Sequence, residues 1–145
     1  MIPRYTRPEM GRIWSDRNKF QQWLEVELAA SEALAELGVV PAEAAGLLRA
    51  HAGFEVDRIH EIESTVKHDV IAFTTAVAET MQACGHGEVA RWFHYGLTSN
   101  DVVDTAQALL LEQASAILIG DLMGLREVLK RRALEFRHKI GRAHV

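Results

Sequence analysis

The sequence predicts an all-α fold. Apolar residues recur at three- and four-residue steps, no strand-like alternation or Asn-Gly hairpin turn stands out, and the three prolines all lie at or before Pro41. With 145 residues, 48% of them hydrophobic, the chain is long enough for one domain with a substantial core.

The elements follow in order. The polar segment Ile2–Glu9 carries Pro3 and Pro8 and precedes the first helical period. Ser15 is an N-cap type followed by Asp16, so a first long helix is expected to begin there. Phe20, Trp23, Leu24, Leu28, Leu34 and Leu37 give it an apolar stripe with one gap, and Gly38 ends it. Pro41 opens an alanine-rich helix to Ala50, which Gly53 breaks. Further helices are expected over Asp57–Val66 and Asp69–Cys84, the latter ended by Gly85-His86-Gly87. Thr98-Ser99-Asn100-Asp101 has the form of a capping box and starts the last helix. Val103, Ala106, Leu110, Ala114, Ile117, Leu118, Leu122, Leu125 and Leu129 carry that helix without a proline to about His138.

Length makes the last helix informative. Residues 99–138 as one helix span about 60 Å at 1.5 Å per residue. A compact globule of this size measures roughly 40 Å across. The helix is therefore expected to overhang its own domain by about 20 Å, and Leu111, Ile119 and Val128 widen its apolar face beyond a single stripe. Such a helix asks for a bundle supplied by further sequence or by other chains. The division expected is a helical domain over residues 1–98, the first helix of a larger bundle over 99–138, and a separate tail over 139–145.

Composition narrows the function classes. Sixteen basic and twenty acidic residues give a formal net charge of −4, without the basic stripe that nucleic-acid binding needs. The single Cys84 excludes an internal disulfide and a multi-cysteine zinc site, which favours a reducing cytoplasm. No unbroken run of about 18 apolar residues predicts a membrane span. Seven histidines occur, but with no HExxH or paired helical ligand spacing, and no GxGxxG, Walker or GxSxG stretch occurs either. Trp14, Trp23 and Trp92 are read as core or interface anchors.

Three polar clusters remain. Arg4 and Tyr5, with Arg7, supply a guanidinium fork and a phenol suited to phosphate or carboxylate, or else form a solvated tail. Lys67-His68-Asp69 lies at a helix boundary, where an aspartate could orient a histidine and a lysine could meet an anion; solvated helix caps are the alternative. His94-Tyr95-Gly96-Leu97-Thr98-Ser99 delivers two hydroxyls to a helix N-terminus, where free N–H groups favour an anion, although capping alone would call for the same residues.

Together these clusters resemble the adenylosuccinate lyases of the fumarase/aspartase superfamily. The resemblance rests on Ile2-Pro3-Arg4-Tyr5 with Pro8-Glu9-Met10, on Trp23-Leu24-Glu25-Val26-Glu27, and on Lys67-His68-Asp69-Val70-Ile71-Ala72-Phe73. Its most specific stretch is His94-Tyr95-Gly96-Leu97-Thr98-Ser99-Asn100-Asp101-Val102-Val103-Asp104-Thr105. Asn100 stands where serine or threonine is more familiar in that family.

The resemblance implies β-elimination of fumarate from adenylosuccinate and from its imidazole-carboxamide analogue, without cofactor or metal. It implies a substrate carrying a phosphate and two carboxylates. By position it places Arg4, Tyr5, Lys67, Asp69, His94, Thr98 and Ser99 on the substrate and makes His68 the histidine that assists catalysis. It also implies a homotetramer whose sites are shared between subunits. Members are roughly three times longer, and their general acid and base lie beyond the stretch present here, so this chain alone is expected to be inactive. Other superfamily types (carboxymuconate cycloisomerase, argininosuccinate lyase) fit Arg4-Tyr5 and Lys67-His68-Asp69 less well. The reading from a different class is a helical oligomerisation module without catalysis, in which the same polar residues serve only as caps.

The end of the chain, Gly141-Arg142-Ala143-His144-Val145, imitates the family's Gly-Arg-Thr-His stretch but sits about two residues too close to Glu135. A common sequencing-adapter read translates as Ile-Gly-Arg-Ala-His-Val followed by a stop. Residues 140–145, with Lys139, are accordingly expected to be non-native.

Overall fold

The computed structural model describes residues 2–139 and 141; the remainder of the expected non-native tail lies outside the described residues. Among the described residues all regular structure is helical. Six α-helices occur: α1 (Pro8–Ile13), α2 (Asp16–Glu36), α3 (Ala42–His51), α4 (Val56–Val66), α5 (Asp69–Ala83) and α6 (Ser99–Phe136). Two 3-10 segments, Pro3–Tyr5 and Gly87–Trp92, complete the order. Helix α1 and both 3-10 segments go beyond the sequence reading. Pro8 starts α1 at a position that needs no N–H donor.

Local chemistry sets the boundaries. Ser15 Oγ accepts the Asn18 N–H at 3.2 Å and caps α2. Gly38 then takes φ +72°, a left-handed turn that lets the Val39 and Val40 N–H groups both reach the Leu34 carbonyl. Of the apolar stripe expected on α2, Phe20, Trp23, Leu24 and Leu28 are buried, whereas Leu37 at its end is 76% exposed. Glu27 and Ser31 are buried on the same helix, with Ser31 in the gap of the stripe.

The core is built around aromatic rings. Phe20 stacks on Phe73 of α5 at 5.9 Å between centroids, and Trp23 meets both rings edge-on at 5.3 and 5.5 Å. Phe54, Phe93, Leu48, Ile59, Met81 and Val102 close around them. Burying rings in such edge and stacked contacts adds to the area removed from water. Arg49 clamps Glu32 through two hydrogen bonds of 2.7 and 2.8 Å and tethers α3 to α2. Arg58 does the same to Glu79 between α4 and α5, at 2.8 and 2.7 Å. Both pairs are exposed, so their contribution is small beside that of the core.

Only the first part of α6 belongs to this core. Val102 and Ala106 are buried in it, Leu110 and Ala114 form a second small cluster with Ile13 that Ile117 partly covers, and from Leu118 onward no residue of the helix is buried. The overhang, residues 118–136, is about 28 Å long. It exposes Leu118, Ile119, Leu122, Met123, Leu125 and Leu129, each more than half accessible. By length and composition α6 is apolar enough to cross a membrane, which differs from the sequence reading. Polar ties bind it to its own fold: Asn18 Nδ2 donates to Gln113 Oε1 at 2.9 Å, and Arg7 pairs with Asp121.

Candidate active site

His68 is the N-cap of α5. Its Nδ1 accepts the Ile71 N–H at 3.4 Å, where a serine or asparagine oxygen would ordinarily serve. A nitrogen that accepts a helix N–H carries no proton, so the ring proton lies on Nε2, away from the helix. Asp69 does not orient this ring through Nδ1, because its Oδ1 accepts the Val70 N–H at 2.8 Å and stands 3.6 Å from the imidazole. The carboxylate is committed to the start of α5. Lys67 ends α4 at φ +55°, a left-handed conformation that side chains other than glycine seldom adopt. It lines a shallow groove of about 390 Å³ with His60, Glu63 and Ser64.

The second cluster opens α6. Asp101 Oδ2 accepts the Thr98 N–H at 2.7 Å and the Thr98 hydroxyl at 2.8 Å, so the expected cap forms from the aspartate side. These bonds hold the Asp101 carboxyl below its usual range, the backbone N–H contributing most. Thr98 Oγ is thus engaged within the cap, while Ser99 makes no side-chain hydrogen bond among the described residues. His94 stands before this cap at φ +61°, with Nδ1 2.5 Å from Oε1 of the buried Glu27. The sequence reading singled out His94 but gave Glu27 no role. A charged residue on the apolar side of α2, one turn before the gap in its stripe, was the available signal.

The third cluster lies elsewhere. Arg4 stacks its guanidinium over the Tyr5 ring at 4.7 Å, and both residues are exposed. Arg7 fastens this segment to Asp121, 2.5 Å away and 22 residues (121 − 99) along α6 from Ser99. That is about 33 Å of helix. Arg4 is three residues from Arg7, and three residues reach at most about 11 Å. Among the described residues no hydrogen bond or ion pair links Arg4 or Tyr5 to Thr98 or Ser99, and their segment is tied instead to the distant part of α6. Among the described residues no hydrogen bond or ion pair links Lys67-His68-Asp69 to His94–Asp101 either.

A helical domain thus leads into one long helix whose second half extends past the core, with polar clusters at the helix ends. The chain belongs to the lyase family, whose profile matches residues 4–145. It is 51% identical over 146 residues to the adenylosuccinate lyase of Bacillus subtilis (strain 168), covering 99% of this chain and 33% of that protein. The adenylosuccinate lyase of Streptococcus mutans serotype c is 50% identical over the same shares. The chain thus spans about a third of the length of the curated relatives it matches. Among solved structures, β-carboxy-cis,cis-muconate cycloisomerase from Acinetobacter calcoaceticus superposes with a TM-score of 0.85 at 26% identity, over 94% of this chain and 33% of that one.

Proposed function

We propose that this chain is the N-terminal third of an adenylosuccinate lyase, a carbon–nitrogen lyase that eliminates fumarate from adenylosuccinate and from its imidazole-carboxamide analogue. The observation that carries the reading is the 51% identity to a named adenylosuccinate lyase over nearly the whole chain, more than is shared with the cycloisomerase. Purine nucleotide synthesis in the cytoplasm is the corresponding setting, and the substrate is a small anion with one phosphate and two carboxylates.

The roles follow the resemblance, and the geometry of the helix ends supports them. His68 assists catalysis through Nε2–H, the nitrogen its cap leaves outward, by donating to a developing negative charge or a departing group. Lys67 supplies a cation beside it. Ser99 and the first free N–H groups of α6 receive an anionic group, with Thr98 and Asp69 shaping the helix starts around it. Arg4 and Tyr5 act on substrate in a different composite site from the Thr98 and Ser99 of the same chain, a reading supported by the tie of their segment to Asp121, about 33 Å along α6 from Ser99. Homotetramer formation through α6 would join them.

The test is a chimera in which residues 1–138 replace the matching third of the Bacillus subtilis relative. Cleavage of adenylosuccinate within about tenfold of the parental kcat/KM is expected. A soluble, assembled chimera that releases no fumarate would overturn the assignment.

A further inference from the structure

Glu27 stands outside the roles above, yet it is the one fully buried charged side chain among the described residues. Oε1 meets His94 Nδ1 at 2.5 Å, and Oε2 has no hydrogen-bond partner. A buried carboxylate with an orphan oxygen is costly, as is a left-handed histidine. Both costs are met at one place, to hold one ring. One turn along α2, Ser31 Oγ donates to the Trp92 carbonyl at 3.5 Å, so the same face of α2 also grips the backbone leading to that ring.

Proton placement fixes what the ring offers. With a single proton between Oε1 and Nδ1, two arrangements leave the pair without net charge: carboxylate with imidazolium, and carboxylic acid with neutral imidazole. Both arrangements put a proton on Nε2. A bare Nε2 would require an ionised Glu27 beside a neutral ring, leaving a net negative charge buried around the orphan Oε2. Burial pushes the Glu27 carboxyl up, partly offset by its bond to His94, which also disfavours that state. On the solvent side, the nearby Asp101 carboxylate is already tied down by Thr98.

We propose that Glu27 is a positioning residue that locks His94 with Nδ1 inward and Nε2–H outward, making His94 a fixed hydrogen-bond donor to an anionic group of the substrate. The inference rests on the reading of this site as one for an anionic substrate, but the pairing itself is independent of which substrate that is.

The test is the long-range 1H–15N imidazole spectrum of the 15N-labelled chain at pH 7.5 without ligand. His94 is expected to show a protonated Nε2 and a far-downfield Nδ1 proton, which moves upfield in Glu27→Gln and disappears in Glu27→Ala. A bare Nε2, or a downfield proton unchanged in Glu27→Gln, would overturn the proposal; if the variants do not fold, the wild-type spectrum decides alone. Titration with inorganic phosphate is then expected to shift His94 Nε2, with affinity reduced about tenfold in Glu27→Gln. A correctly protonated His94 indifferent to phosphate would overturn its role as anion donor. Because neither arm uses adenylosuccinate, the pairing can stand where the substrate assignment fails, and the reverse.

Discussion

His68 shows how one side chain can serve fold and chemistry at once. Its Nδ1 closes the start of α5, and in the proposed function its Nε2–H meets the substrate. The two jobs are separable by substitution. Asparagine is itself a good N-cap, so His68→Asn is expected to keep stability within about 0.5 kcal/mol while removing the outward N–H. His68→Ala loses both, at a cost of about 1 kcal/mol in chemical denaturation. A similar loss of about 1 kcal/mol is expected for Ser15→Ala, which removes the α2 cap. Phe73→Ala, at the centre of the ring cluster, is expected to cost about 3–5 kcal/mol. Acid acts through the carboxylates held below their usual range: Asp101 by the Thr98 N–H, Glu32 by Arg49 and Glu79 by Arg58. A lowered folded pKa gives stability that is present above the unfolded value of about 4 and lost as pH falls through the folded value. The melting temperature is therefore expected to hold from pH 7 to about 5 and to fall below about 4. Asp101→Asn should soften that fall.

At the scale of elements, α2 through α6 are legible in the sequence because each has a period and a boundary signal. Ser15 and Gly38 bracket α2, Pro41 precedes α3, and Thr98 with Asp101 opens α6. Helix α1 was not legible: its six residues are too few for a periodic stripe, and its stability comes from packing Ile13 against Leu110 and Ala114. The gap in the α2 stripe was visible, but its meaning depends on the Trp92 carbonyl and the His94 ring, reached across 61 and 67 residues, which no local pattern encodes. The α6 overhang was legible from length, as about 20 Å against the roughly 28 Å observed, but where it starts was not, because Leu118, Leu122 and Leu125 read as core whether or not anything covers them. Gly120 and Gly124 add a further test. A Cβ at either position meets nothing within 4 Å, so each Gly→Ala is expected to stabilise α6 in this chain by up to about 1 kcal/mol, read as helicity and melting temperature.

For the whole molecule, the exposed apolar residues of α6 and the scattered polar clusters point the same way. Contiguous apolar surface of this kind drives association. The chain is expected to sediment above monomer mass, and Leu122→Glu with Leu125→Glu, both on the exposed overhang, should return it towards monomer while leaving the aromatic core folded. A sharp wild-type monomer at high concentration would contradict that. In the proposed function the chain folds as the N-terminal third of a lyase and lends His68 to a site shared between subunits. The direct measurement mixes the chain with full-length adenylosuccinate lyase subunits inactivated at the position matching His68 and follows fumarate release. Activity is expected to return with the wild-type chain and to vanish with His68→Ala. A folded, co-assembling chain that restores nothing, or restores equally with His68→Ala, would contradict the account.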